Sequence, residues 1–522
     1  MKITEQVVLW LAIATCLALR LSHLGGPLDE PMWRQTDTAY MAVRMMNESP
    51  PDLLRPKAPY RGTNDVKAAE FPIYPALASL AYKLAGRECL PAARLITLLF
   101  FAGSAWLLFL SVRIMAGARV AAWSTVLYTA APLGIAYSRM VHPDFAIIFF
   151  SHLFLFGLLR FVQSGGVGWW SVGVIGGVAA FLMKAPYCFY LGLLPGWWWL
   201  VDREKRTFGR FIGLATVLIL PLLSALWFNQ HRIALEAPFE ESLVYPMKWT
   251  AESSAGYFFG QLADRLNPAG WRLIAKRVFW LILTPAGLAL ALVGLVPWHK
   301  RNADFPGSGY AMMWVWGGGV LMYVLVIFPM VTGGHEYYSI PLIAPASVVA
   351  ALGVVRVLEW CERRWPRASV CAVAVLLILL AAGAREGLAR GPYLTKGPYF
   401  TVDWQRLAAG HGIREHTPSE ALVLSVTHGR GTGWSDPRIL YTADRRGWAI
   451  EARQLTELNL AQFINAGASI AAVLVTPEAE GREDELGPLA GKAHDVVPLQ
   501  RNGAGLGSLR LYSLMAEPGV VP

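Results

Sequence analysis

The sequence predicts a multi-pass α-helical membrane protein of about eleven transmembrane helices, closed by a small C-terminal α/β domain. Three observations predict it. Hydrophobic residues make up 55% of the 522-residue chain and charged residues only 16%, with a mean hydropathy of +0.41, against about 25% charged residues in soluble domains. Apolar runs of about twenty residues, each able to cross about 30 Å of hydrocarbon, recur as far as Ala384. After Arg385 the pattern changes to short apolar runs alternating with helical ones.

By length and hydropathy the spans fall at Val7–Leu21, Arg94–Ile114, Val120–Ala136, Phe145–Val162, Trp169–Met183, Tyr187–Val201, Phe211–Phe228, Val278–Pro297, Met312–Val331, Tyr338–Leu358 and Ser369–Ala384. Lys2 ahead of Val7–Leu21 resembles the start of a signal peptide. The flank Ser22-His23-Leu24-Gly25-Gly26 lacks a small-x-small cleavage site, so an uncleaved first span is expected. The short loops carrying Arg113, Arg119, Arg160, Arg203, Lys205, Arg206, Arg210, His299, Lys300, Arg301, Arg356, Arg363, Arg364 and Arg367 lie on one side, which the positive-inside rule makes cytoplasmic together with the N-terminus. An odd number of spans then places 385–522 outside. The expected layout is a transmembrane domain at 1–384, with external loops at 22–93 and 229–277, and an external α/β domain at 385–522.

In the first loop, Thr38–Met46 and Tyr74–Leu84 have apolar residues at helical spacing and read as amphipathic helices at the interface. In the last domain, Ala421–Thr427, Arg438–Tyr441, Ile470–Thr476 and Leu509–Leu514 read as strands. Trp404–His416 and Leu455–Ala466 read as helices, the second closed by Gly467. A mainly parallel sheet is expected. The domain has no Gly-rich phosphate fingerprint and no nucleophile motif, so a lid or docking role is expected of it.

The net charge of +10 is spread over loops rather than gathered in a basic module, so nucleic acid is not an expected partner. Cys16, Cys89, Cys188, Cys361 and Cys371 stand alone, with neither metal-ligand nor disulfide spacing.

The candidate functional residues gather at the outer ends of the spans. Asp29, Glu30, Arg34 and Asp37 follow the first span directly. A carboxylate there can act as a general base, and Arg34 and Asp37 share a helical face on which the arginine can hold an anion. An ordinary solvated ion pair is the alternative. Asp144, behind Arg139-Met140-Val141-His142-Pro143, suits the first turn of a helix. It can instead orient a catalytic group or ligate a divalent cation. Lys184 either snorkels to the interface or neutralises a phosphate. His335-Glu336-Tyr337 is either an aromatic anchor with a capping carboxylate or a set of substrate donors and acceptors. Lys67 and Glu70 read as a solvated pair within the first loop.

The order of these motifs resembles a known family. It comprises the acidic first-loop motif, Glu-Phe-Pro-Ile-Tyr-Pro at 70–75, Tyr137-Ser138-Arg139 with His142-Pro143-Asp144, Lys184-Ala185-Pro186, and His335-Glu336-Tyr337-Tyr338 leading into Ile340-Pro341-Leu342. Over Met1–Ala384 the chain resembles the membrane glycosyltransferases of the C-type fold, specifically the bacterial family 39 relatives of protein O-mannosyltransferases and lipid A aminoarabinose transferase. The resemblance implies a polyprenyl-phosphate sugar donor and an acceptor outside the cytoplasm that is a lipid, a glycan or a protein. It also implies a place in the bacterial inner membrane, with the C-terminal domain in the periplasm. Asp29-Glu30 resembles the family's Asp-Glu pair, whereas Trp33–Ala39 resembles a bacterial version in which Asp37 takes the acidic role.

Under this reading Asp37, Asp29 and Asp144 are the catalytic candidates. Arg34, Glu30, Lys67, Glu70, Arg139, His142, Lys184, His335, Glu336 and Tyr337 are the substrate-binding ones. No residue is assigned as a metal ligand, although a divalent cation is a candidate cofactor. The rival classes are a lipid-linked sugar flippase, which wants ionisable groups near mid-bilayer and repeated broken helices, and a membrane-anchored sensor.

Overall fold

The computed structural model describes the chain except residues 1–2, 23, 64–65, 68–69, 202–206, 237–250, 297–306, 366–368, 429–435, 482, 490–492 and 515–522. Residues 237–250 of the expected second external loop lie outside the described residues. So do Arg203, Lys205, Arg206, His299, Lys300, Arg301 and Arg367, on which part of the orientation argument rests. Two compact units form: Met1–Gly26, Cys89–Gln230 and Ser254–Phe400 make the first, and Pro27–Glu88, His231–Ser253 and Thr401–Pro522 the second.

The first unit is helical. Its main helices are α1 (Ile3–Leu19), α4 (Leu90–Ala130), α5 (Asp144–Ser164), α6 (Val167–Lys184), α7 (Phe208–Glu236), α8 (Pro268–Arg277), α9 (Thr284–Leu295), α10 (Gly307–Val326), α11 (Ile343–Arg364) and α12 (Ser369–Leu388). Among the described residues six helices are long and apolar enough to cross a membrane, or seven if the pair Pro268–Ile282 and Thr284–Leu295, bent by 105°, is one span. Glu5–Leu19 and Ala311–Val326 are shorter apolar helices. Large apolar side chains such as Leu222, Leu223, Ile378 and Leu379 are exposed on α7 and α12, which suits lipid and not water. The chain is a multi-pass membrane protein.

The spans expected at Arg94–Ile114 and Val120–Ala136 fall largely on the two helical stretches of α4, which meet at a kink at Gly117, whose φ of 80° interrupts the helical backbone. The span expected at Tyr187–Val201 is instead two short 3-10 turns, Ala185–Tyr187 and Phe189–Gly192, followed by a nine-residue helix. Pro186 lacks an amide donor and Gly192 is a weak helix former, so a continuous span is broken there. Close packing of α9 on α11 depends on glycine: a Cβ at Gly353 would lie 1.9 Å from the Leu290 carbonyl oxygen, and one at Gly294 2.0 Å from that of Val349. Small residues at helix contacts let membrane helices approach closely.

The second unit joins the first-loop helices α2 (Met32–Met46) and α3 (Ile73–Ala85) to the C-terminal domain. Among the described residues three α-helices, α13 (Trp404–His416), α14 (Arg438–Ala443) and α15 (Glu457–Asn465), accompany five strands: β1 (Leu422–His428), β2 (Arg446–Glu451), β3 (Ile470–Val475), β4 (Asp495–Arg501) and β5 (Ala504–Ser513). The sheet order is β2-β1-β3-β5-β4. β1 pairs in parallel with β2 and β3, while β5 runs antiparallel to β3 and β4.

Apolar clusters cover both faces of the sheet. One includes Ala409, Ile413, Ile439 and Leu440, together with Ala58 and Tyr60 from the first loop. The other includes Trp448, Phe463 and Tyr512.

Three expectations are corrected here. Arg438–Tyr441 is helical, because Pro437 opens it and Asp436 Oδ1 accepts from the Arg438 amide at 3.1 Å. The sheet is mixed, with two antiparallel strands at one side. Finally, α2 is not a half-exposed interfacial helix: every residue from Gln35 to Ala42 is buried, and its polar side chains find partners inside the second unit.

Candidate functional site

The acidic motif behind the first span becomes the start of α2. Glu30 Oε2 accepts from the Met32 amide at 3.0 Å, satisfying one of the free donors at the helix N-terminus. Asp29 is held by Gln35, whose side-chain amide donates to the Asp29 carbonyl at 2.6 Å and to its carboxylate at 3.1 Å. Arg34 and Asp37, one helical turn apart, each meet a partner from the segment ahead of α3. Arg34 pairs with Glu70, and Asp37 Oδ2 accepts from Lys67 Nζ at 2.9 Å. Lys67 and Glu70 are therefore not a solvated pair with one another; each is bonded to α2.

Asp37 has two inequivalent oxygens. Oδ2 receives Lys67 and, at 3.4 Å, the hydroxyl of Tyr60, which itself bonds to Lys67. Oδ1 is buried and has no hydrogen-bond partner among the described residues. An uncompensated buried carboxylate oxygen is costly, and the position beside a fixed cation is where a proton acceptor can work. Tyr60 escaped the sequence reading because it lies in an irregular stretch with no periodicity.

In the first unit a second cluster forms. Asp144 opens α5, fully buried, with Oδ1 2.9 Å from Lys184 Nζ at the end of α6. Its Oδ2 lies 3.3 Å from the Tyr187 hydroxyl and 3.4 Å from His142 Nδ1. The Lys184 ammonium also sits 4.5–4.8 Å from the ring centroids of Tyr187, Tyr337 and Tyr338, a cation–π cage. Lys184 is thus buried and paired rather than snorkelling.

Glu336, fully buried, accepts from the Tyr399 hydroxyl at 2.6 Å and from that of Tyr137 at 3.4 Å. Arg139 stacks on the ring of Phe400 at 4.1 Å. His142 and His335 both approach the ring of Tyr337, at centroid distances of 5.1 and 5.4 Å. The structure thus brings Arg139, His142, Asp144, Lys184, His335, Glu336 and Tyr337 into one aromatic-lined cluster. Tyr187 and Tyr399 join it without having stood out in a tyrosine-rich chain.

No group of three or more His, Cys, Asp or Glu side chains among the described residues is arranged to hold a metal ion. The groups beside Asp37 are an ammonium and a phenol, a donor set that does not suit a divalent cation.

The family model for dolichyl-phosphate-mannose-protein mannosyltransferases matches residues 67–228. No curated protein matches the chain by sequence. Among solved structures, ArnT from Cupriavidus metallidurans bound to undecaprenyl phosphate is 14% identical, with a TM-score of 0.58 over 97% of this chain and 98% of that one. The archaeal oligosaccharyltransferase AglB from Archaeoglobus fulgidus, in complex with an inhibitory peptide and a dolichol-phosphate, is 12% identical, with a TM-score of 0.56 over 97% and 74%. The arabinofuranosyltransferase AftD from Mycobacteria is 12% identical, with a TM-score of 0.57 over 98% and 40%. The fold is the C-type fold of these membrane glycosyltransferases, as the order of motifs implies.

Proposed function

We propose that this chain is a membrane glycosyltransferase that moves a sugar from a polyprenyl-phosphate carrier to an acceptor hydroxyl at the periplasmic face of the bacterial inner membrane. A shared fold alone does not fix an activity; the observation that carries the reading is the Asp37 carboxylate, with one oxygen held by Lys67 and Tyr60 and the other buried without a hydrogen-bond partner among the described residues. The lipid carriers bound by two of the structural neighbours, undecaprenyl phosphate and dolichol-phosphate, support the donor class.

The reaction is a single inverting displacement. The acceptor hydroxyl gives its proton to Asp37 Oδ1, its oxygen bonds to the anomeric carbon, and the bond from that carbon to the phosphate oxygen breaks with its electron pair on the leaving polyprenyl phosphate. Glycoside hydrolysis generally needs a second carboxyl to protonate its leaving oxygen. A phosphate leaves as an anion and needs positive charge instead. On the second unit Arg34 is the candidate for that charge, while Lys67 holds the base. Asp29 and Glu30 hold the start of α2, and Asp144 serves to hold Lys184.

The test is mass spectrometry of envelope lipids and glycans from a strain lacking the gene, complemented with wild type or Asp37→Asn. One sugar should disappear and return only with wild type. If Asp37→Asn restores it fully, Asp37 is not the base. If nothing changes on deletion, a transporter or sensor reading replaces the enzyme.

A further inference from the structure

We propose that the α/β domain positions the base, with Arg438 as a positioning residue acting on Asp37 through Glu30; this rests on the reading of Asp37 given above. Glu30 bridges two structures. Its Oε2 accepts from the Met32 amide at the head of α2, while its Oε1 accepts from Arg438 Nη1 at 3.2 Å, and its backbone amide donates to the Thr401 carbonyl at 2.7 Å. Arg438 is buried and locked on its other edge, with Nη2 2.7 Å from Asp436 Oδ2 and Nε 2.9 Å from Asp436 Oδ1. Asp403 Oδ2 lies 3.3 Å from Arg438 Nη1 and 2.5 Å from Arg406 Nη1, and Arg406 Nε reaches Asp436 at 3.1 Å.

Among the described residues the cluster sets Glu30, Asp403 and Asp436 against Arg406 and Arg438. Burial alone pulls the Arg438 guanidinium below its ordinary range, but Asp436, Glu30 and Asp403 more than offset this and hold it above. Removing Arg438 takes the shared counter-charge from Glu30, Asp403 and Asp436, and an uncompensated charge in such a place forces rearrangement. Glu30 is the member of the cluster that lies at the head of α2.

A second tether reaches Asp37 from the neighbouring element. Tyr60, whose hydroxyl approaches Asp37 Oδ2, is buried in the core that α13 and α14 share with the sheet. The backbone around it is pinned to β2: the Gly447 amide donates to the Pro59 carbonyl at 3.0 Å, and the Gly62 amide to the Gly447 carbonyl at 2.8 Å. Gly62 (φ +63°) packs so closely on Trp448 that a Cβ there would lie 2.4 Å from the indole. The head of α2 and the hydroxyl facing its carboxylate are thus fixed by consecutive elements, α14 and β2. A domain that served only as a lid would have no reason to hold both.

The test is hydrogen–deuterium exchange on the full-length protein in nanodiscs, with wild type, Arg438→Gln, Arg438→Lys, Glu30→Gln and the surface control Arg453→Gln. Arg438→Gln should speed exchange across residues 32–46 by about 10-fold while residues 422–428 and 470–475 keep their protection. Arg438→Lys should fall between it and wild type, and the control should match wild type.

Complementation is then scored on the envelope glycan lost on deletion. Arg438→Gln should lower the initial rate of transfer about 10- to 100-fold, as a misplaced reacting group does, with the donor concentration at half-maximal rate unchanged. Unchanged exchange across 32–46 in both Arg438→Gln and Glu30→Gln overturns the proposal. So does collapse of the sheet's protection in Arg438→Lys or Glu30→Gln, which makes the cluster merely structural. If exchange changes as expected but Asp37→Asn still transfers, the reading of Asp37 fails while the tether from Arg438 to α2 stands.

Discussion

Lys67 Nζ lies 2.9 Å from Asp37 Oδ2, the oxygen that the Tyr60 hydroxyl approaches at 3.4 Å, so the carboxylate is fixed through one oxygen, while Oδ1 is buried with no hydrogen-bond partner among the described residues. Such asymmetry suits a general base, since Oδ1 keeps its lone pairs for the incoming proton. Lys67→Met should lower transfer by about 10-fold or more, matching the loss of a charged hydrogen bond of about 1.5–3 kcal/mol. Lys67→Arg should keep part of the rate. Initial rates of sugar transfer in membranes check this, and wild-type rates in Lys67→Met would separate the pair from catalysis.

The Arg34–Glu70 pair is partly exposed, with 19% of each side chain accessible. Breaking it should cost no more than about 1 kcal/mol of stability. Arg34→Glu should nonetheless reduce transfer, because it places a negative charge beside Asp37. The exchanged double variant Arg34→Glu with Glu70→Arg should regain thermal stability but not activity. Full activity in the exchanged variant would show that Arg34 only braces α2.

Asp144 and Lys184 form a pair of the opposite kind, with both side chains almost completely buried. Lys184→Met alone leaves a buried unpaired carboxylate and should destabilise by about 3–5 kcal/mol. Asp144→Asn combined with Lys184→Met should recover most of that loss, a coupling that thermal unfolding of the four proteins in one detergent measures directly. Additive losses would mean that the two charges do not depend on each other.

Gly353 meets the Leu290 carbonyl so closely that no side chain fits without moving α9 from α11. Gly353→Val should cost at least about 1–3 kcal/mol and reduce the yield of folded protein from membranes. Gly318→Ala on α10, where a Cβ meets nothing within 4 Å, is the matched control. Equal yields from the two variants would contradict the close packing.

Much of this architecture was legible because its signals are local. Apolar runs long enough for a membrane mark the long helices, and α13 starts and stops at Trp404 and His416, as its pattern requires. Asp403 there receives the Arg406 amide as a helix cap. What escaped had no local signature. β2 opens on Arg446-Gly447 directly behind a short helix, and β4 is an edge strand interrupted by Pro498, a residue that central strands exclude. Arg438–Tyr441 has the apolar content of a strand, and Pro437 with Asp436 turned it into a helix.

The sequence by itself determined that the chain crosses a membrane several times, where its polar motifs lie along those crossings, and that a small α/β domain follows, because hydrophobic length and periodicity are properties of contiguous residues. It also supplied the charged residues of both clusters, but not the tyrosines Tyr60, Tyr187 and Tyr399 that bond to them. Only the tertiary structure decided the partners. Lys67 bonds to Asp37, 30 residues away, rather than to Glu70 beside it, and Arg438 reaches Glu30 across 408 residues. The reason is physical. A buried charge takes the counter-charge that packing brings within reach, and packing is settled by the whole core rather than by neighbours in the chain.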